Sequence, residues 1–243
     1  MSRFAFHPTA LCCSVLLCLG ISVAMAADAD WASTVKFPAS EKPVKLFNGK
    51  DFEGWEGNTG EGGTQKYFTI KDGVIVGRNE KENAPKVSNY LLTKKPYRNF
   101  RLVFEGKLAE SKMHTGIAIW GKRYETDGEK NSYQGHLVMF PANWGFYDLY
   151  RRKGIYADKD GRAKKADNGG WNKMEILAIG DRIRLAVNGQ LVADWRDDKP
   201  ELCEAGPIGL QLHSNPSVAQ EVNFRGLILS ENPEDKMITT TEK

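Results

Sequence analysis

Cysteine is scarce in this chain, and what little there is clusters at one end. Of the four cysteines in 243 residues, Cys12, Cys13 and Cys18 lie in the first eighteen, and only Cys203 lies beyond them. Those three fall in a segment with a positive Arg3, an apolar run from Leu11 to Ala24, and Ala24-Met25-Ala26 at its end. This layout is that of a secretory leader, with cleavage expected after Ala26. A retained membrane anchor needs roughly 20 consecutive apolar residues. The run here is shorter, and Asp28 and Asp30 follow it at once. The exported chain therefore has no intrachain disulfide and depends on its core. Cys203, flanked by Leu202 and Glu204 before a Gly-Pro pair, is expected to be a buried thiol rather than a nucleophile. Charge of one sign is also lacking. A formal net charge of +3 offers no field to draw nucleic acid or an anionic membrane. The one basic stretch, Lys153 to Lys165, reads as a solvated loop. Phosphate-binding loops, nucleophile elbows, dinucleotide glycine patterns and His-Glu-x-x-His motifs are all missing.

Helical periodicity is hard to find after the leader, and short alternating segments take its place. Phe100, Leu102 and Phe104 alternate with Arg101 and Glu105, and Met174, Ile176 and Ala178 repeat the pattern. Lys71-Asp72-Gly73 separates two β-rich runs. Asn188-Gly189 separates Ile183-x-Leu185-x-Val187 from Leu191 to Trp195. Both pairs suit primed turns, whose central residues take positive φ. About a dozen short strands at such intervals predict an all-β, two-sheet antiparallel sandwich or barrel. The division expected is a leader over 1–26, an extended arm over 27–43, one β-sandwich domain over 44–230 and a polar tail over 231–243.

Polar and aromatic groups are densest between Trp120 and Arg152. Tyr133-Gln134-Gly135-His136 and Trp144 to Arg152 lie there, and Gln211 and His213 stand two apart on a later strand. Residues two apart share a face, so Gln211 and His213 are expected to point together, as are Gln134 and His136. Such groups suit a sugar: rings stack on its apolar faces, and amides and guanidinium groups bond its hydroxyls. Trp120, Tyr133, Gln134, Trp144, Tyr147 and Gln211 are the candidate sugar contacts. Trp55, Trp171 and Trp195 read as packing, and His114 as a loop histidine. The spaced His, Cys and Asp set of a strong metal motif is missing. Even so, His nitrogens with Gln or Asp oxygens leave a divalent cation as an open alternative.

These segments, taken in order, resemble a known family. Leu46-Phe47-Asn48-Gly49-Lys50-Asp51 with Gly54-Trp55 is similar to the opening motif of the 3-keto-disaccharide hydrolase domain family. Asp72-Gly73, Leu91-Leu92-Thr93 with Tyr97 and Phe100, Thr115-Gly116-Ile117, Trp171-Asn172, and Gly206-Pro207-Ile208-Gly209-Leu210-Gln211-Leu212-His213 follow as in that family. The likeness covers about residues 44 to 230. It departs where members carry Asn-Ser-Gly in place of His114-Thr115-Gly116, and Tyr-Glu-x-Gln in place of Tyr133-Gln134-Gly135-His136.

The resemblance implies a concanavalin A-like jelly roll, export to the periplasm or beyond, and action on glycosides whose sugar carries a C3 ketone. Such a ketone acidifies the C2 proton, so a base can remove it and the C1 aglycone can leave by β-elimination. Water then adds back. By that chemistry His136 or His213 is the expected base. Arg151 or a bound cation stabilises the enolate, and Asp148 or Glu125 donates a proton. With Gln134 in place of the family's Glu, a sugar-binding module without catalysis is the alternative. Either way the expected partner is a carbohydrate, with no nucleic acid and no membrane span after leader cleavage.

Overall fold

A computed structural model describes residues 1, 30–57, 64–110, 113–126, 129–141 and 144–241. Side chains at 57, 64, 65, 124–126 and 129–132 fall outside that description. The leader expected over 1–26 also lies outside it, apart from Met1.

Among the described residues, fifteen antiparallel strands are arranged in two facing sheets. The eight-stranded sheet runs β13 (Gln190–Arg196), β12 (Arg182–Val187), β11 (Asn172–Ile179), β6 (Phe100–Glu110), β15 (Gln220–Glu231), β4 (Val74–Asn79) and β3 (Phe68–Lys71). A short β1 (Val44–Lys45) also pairs with β15. The seven-stranded sheet runs β10 (Lys153–Ala157), β9 (Gly145–Asp148), β8 (Glu129–Pro141), β7 (His114–Thr126), β14 (Gly206–Leu212), β5 (Asn89–Tyr97) and β2 (Trp55–Gly57).

Alternation along the strands supplies the core between the sheets. Phe100, Leu102, Phe104, Met174, Ile176, Ile183, Leu185 and Phe224 come from one sheet. Leu91, Ile117, Ile119, Val138, Phe140, Phe146, Leu210 and Leu212 come from the other. Phe140 touches Phe104, Phe224 and Trp144 at ring-centroid distances of 6.2, 6.0 and 6.0 Å, so one ring ties both sheets together. Each such ring contributes about 1.5–3 kcal/mol by leaving water. Both predicted turns form as expected. Asp72 and Gly73 have φ of 50° and 76°, and Asn188 and Gly189 have 47° and 86°.

One segment differs from its sequence reading. Lys153 to Lys165 is not a plain loop: it supplies the edge strand β10 and a short helix, Arg162–Ala166, whose Ala163 and Ala166 are buried. The described residues of the arm and of the tail are strapped across the outer face of the eight-stranded sheet. Ala32 packs on Val103 and Ile228, and the Trp31 amide donates to Glu105 at 2.7 Å. Buried Arg101 donates to Glu41 and Glu175, and to the carbonyls of Glu234 and Lys236. The Ile238 and Thr239 amides donate to Glu175 in turn. Charged residues on the solvent face of β6 and β11 have thereby become the anchor for both ends of the domain.

Candidate functional site on the outer face of the seven-stranded sheet

Strand β8 divides the expected site residues between two faces. His136, Val138 and Phe140 point into the sandwich, while Leu137 and Met139 point out of it. On β14, Leu210 and Leu212 point in, so Gln211 points out.

The core of the inner cluster, His136, Asp148 and Asp197, is fully buried, and Arg151 caps it with a partly exposed guanidinium. His136 Nε2 donates to Asp197 Oδ2, both side chains having no exposure. Trp120 meets the imidazole edge-on at 5.5 Å, and Trp195 approaches it from the opposite sheet at 6.2 Å. On β9, paired with His136 across the strands, Asp148 accepts from the amides of Tyr150 and Arg151 at 2.8 and 3.0 Å. Its other oxygen takes the Arg151 Nε–H. Arg151 also stands 3.6 Å from Asp197 and 3.5 Å from Asp198. Cys203 is buried, and that burial pushes its thiol up to about 12. Ligand atoms of His136, Asp197 and Cys203 lie within 4.8 Å of one another, and the Arg151 guanidinium stands beside the same carboxylate. His136, Asp148 and Asp197 have no exposed side-chain surface for a substrate to touch.

The outer cluster is partly open. Tyr90, Leu92, Ala118, Tyr133, Leu137, Met139 and Leu149 form its apolar floor, with Tyr147 packed against it. Continuing the β7–β14 register past Leu210↔Ile117 sets His213 opposite His114. Their rings meet edge to face at 4.4 Å, and both are half-buried. Burial holds His114 below the usual imidazole range. Burial, then His114, then the charge of Arg152 bring His213 down to about 4. Both rings are therefore neutral near pH 7. Nδ1 of each is buried without a partner among the described residues, as is Gln211 Oε1. Unmet groups of this kind cost about 1–3 kcal/mol each, and they call for an explanation in function or in a missing partner. Gln211 Nε2 donates to the Tyr90 hydroxyl at 3.0 Å. Arg152, exposed at φ 55°, holds its guanidinium 5.8 Å from the Tyr147 ring centre. Neutral imidazoles, an amide, phenols and a cation together can hold hydroxyls, take up a proton and stabilise an oxyanion. A positive Arg152 beside His213 suits a developing anion better than a bound cation.

Residues 42–229 match the profile of the 3-keto-alpha-glucoside-1,2-lyase-like domain. The chain belongs to that family. No curated protein matches it. Among solved structures, a candidate glycosyl hydrolase from Parabacteroides distasonis is 19% identical with a TM-score of 0.54, covering 78% of this chain and 93% of its own. A lichenase, a β-1,3-1,4-glucanase from a mouse hindgut metagenome, is 14% identical with a TM-score of 0.52, covering 79% and 99%. A Bacillus subtilis protein with a galectin-like fold is 11% identical with a TM-score of 0.54, covering 81% and 98%. At such identities these neighbours speak for the fold alone: the all-β jelly roll of two antiparallel sheets. With the family, they make this a carbohydrate-active jelly-roll domain.

In this member of the 3-keto-alpha-glucoside-1,2-lyase-like family, the residues expected to form one site form two. His136, Asp148 and Arg151 converge inside the sandwich, whereas Gln211, His213, Tyr133 and Tyr147 lie on the outer face. Trp120 and Trp144 are not sugar platforms. Trp120 is fully buried with its indole N–H on the Arg98 carbonyl at 2.7 Å, and Trp144 packs on Phe140 in the core. The cause is a bulge: β7 spends an extra residue at Trp120-Gly121, where Trp120 adopts φ 51°. A Cβ at Gly121 would fall 1.8 Å from the Gln134 carbonyl oxygen, so that close crossing requires glycine. Gly135, between half-buried Gln134 and buried His136, takes φ 156°. The Glu125 side chain lies outside the described residues. His114, read as a loop residue, opens β7 and faces His213. Arg152, Asp197 and Tyr90 were not singled out at all. The small residues Gly116 and Ala118, alternating after His114, were the available sign that this end of β7 lies on the outer face.

Proposed function

We propose that this protein cleaves glycosides whose sugar is oxidised to a ketone at C3, using the outer face of the seven-stranded sheet. The observation that carries the reading is the half-buried His114–His213 pair, held neutral beside the Arg152 cation. His213 takes the C2 proton, and the C–H electron pair moves into the C2–C3 bond as the C3 carbonyl becomes an enolate oxygen. Arg152 stabilises that oxygen, while the new imidazolium gains stability from the negative charge beside it. When the carbonyl reforms, the electron pair becomes the C1–C2 double bond and the C1–O bond breaks. The leaving oxygen takes a proton from solvent, and the His213 imidazolium returns its proton to the hydroxide so formed, which restores the base. Addition of water, hydroxyl to C1 and hydrogen to C2, completes a net hydrolysis. Half-exposed Tyr147 meets the ring face, and the buried Gln211–Tyr90 pair supports the floor of the site. Export through residues 1–26 belongs to the same proposal.

The test is release of free sugar from a 3-keto-disaccharide by the chain lacking residues 1–26. General-base loss is worth roughly 10²–10⁴-fold, so His213→Ala should lose at least ~100-fold. Full activity in both His213→Ala and His114→Ala would overturn the assignment. Saturable sugar binding without turnover would favour a second reading, a binding module. Half-exposed Tyr147 against the apolar floor supports that reading, since it offers a ring contact without needing a base.

A further inference from the structure

The inner cluster faces away from substrate, yet it is wired to the outer face through one four-residue turn. Strands β9 and β10 are joined by residues 149–152, with Asp148 pairing with Lys153 across the neck of the hairpin. Asp148 has no exposure, and its carboxylate takes three N–H groups, all from the turn itself: the amides of Tyr150 and Arg151, and Arg151 Nε. Arg151 is braced from behind by Asp197, which His136 holds in place. The Leu149 amide donates to the Gly135 carbonyl at 2.8 Å, fastening the front of the turn to β8. The next residue is Arg152. Its left-handed backbone sends the side chain to the opposite face, over Tyr147, where its charge acts on His213.

We infer that Asp148, backed by Arg151, Asp197 and His136, is a positioning residue that sets where the Arg152 guanidinium stands relative to His213. This rests on the proposed use of the outer face, but its mechanical part does not need substrate. Exposed arginine is a long, mobile side chain that loses rotamer freedom when placed. A turn whose amides are tied to one buried carboxylate fixes the Cα and its direction before any ligand arrives, which is how preorganised charge becomes useful. Asp148, Arg151 and His136 thus act through Arg152 rather than on the sugar.

The experiment compares wild type with Arg152→Gln, Asp148→Asn and the double variant, following the His213 imidazole by NMR titration without substrate, alongside melting temperature and turnover. Arg152→Gln should raise the His213 midpoint, because a nearby cation is gone. Asp148→Asn should raise it in the same direction, and the double variant should match Arg152→Gln alone. With substrate, Asp148→Asn should lower kcat by roughly 10-fold with little change in KM, and again by no more in the Arg152→Gln background. Where Asp148→Asn lowers the melting temperature but leaves the His213 midpoint at its wild-type value, the residue is merely structural and the inference is overturned. Additive shifts in the double variant overturn it as well. A positive titration result with no turnover in any protein would instead retire the proposed function and leave the positioning intact.

Discussion

Replacing Arg101 by methionine should unfasten both ends of the domain at once. Arg101 is fully buried on the outer side of β6 and bonds Glu41 at 3.1 and 2.8 Å, Glu175 through Nη1, and two tail carbonyls, Lys236 at 2.8 Å and Glu234 at 3.1 Å. Methionine fills much of the same volume but leaves two buried carboxylates facing each other without a cation. Breaking a buried pair from one side costs about 3–5 kcal/mol, whereas replacing every charged member by neutral groups is often close to neutral. The single variant Arg101→Met should therefore lose about 3–5 kcal/mol in urea unfolding at pH 7, read by tryptophan fluorescence. The triple variant Arg101→Met, Glu41→Gln, Glu175→Gln should recover most of that. Limited proteolysis should reach residues 234–241 faster in the single variant, because Glu175 also anchors Ile238 and Thr239. A loss below ~1 kcal/mol, or a triple variant as unstable as the single one, would refute the reasoning.

Five further outcomes follow. Turnover should rise through pH about 4 as His213 loses its proton and then stay level through neutrality; an inflection near the ordinary imidazole value of ~6.5 would exclude His213 as base. Because the folded-state value of His213 lies below the unfolded one, the unfolded chain binds more protons between them. Stability should accordingly fall as pH drops from ~6.5 to about 4, measured by thermal melts. Burial alone would raise the Glu41 carboxyl, but the hydrogen bonds and charge of Arg101 bring it below its usual range. Its contribution is present above the unfolded value and is lost as pH falls through the folded one, and Arg101→Met should remove that acid-limb dependence. Cys203, with its thiol at about 12, should resist iodoacetamide in the native protein and react only in urea, as mass spectrometry would show. Finally, N-terminal sequencing of the exported protein should begin at Ala27; a start at Met1 would count against the leader.

Much of the sandwich was legible because strand alternation has a period of two, and this chain keeps to it. Phe100-x-Leu102-x-Phe104 and Ile183-x-Leu185-x-Val187 could only be half-buried strands, and Asp72-Gly73 and Asn188-Gly189 could only turn tightly. The site was less legible because face assignment depends on counting residues through bulges. One extra residue at Trp120-Gly121 on β7, opposite Gly135, turns Trp120 inward beside Ile119, and no sequence pattern announces it. The same counting worked for Gln211 on unbroken β14, which lies on the outer face as two-residue spacing requires. Charge misled as well: Arg101 and Glu105 read as facing away from the core, and they do, except that the chain's own ends cover them.

Local pattern by itself determined that this chain would be a β-sandwich, because alternating residues must bury one face. The order of its motifs placed it in a sugar-processing family. Tertiary structure alone decided which histidine meets which. His114 and His213 are nearly a hundred residues apart and become neighbours only through the pairing of β7 with β14. His136 and Asp197 come from different sheets and meet only when those sheets close. Local sequence sets the period of a strand, but the partner across the ladder is chosen by the packing of the whole core.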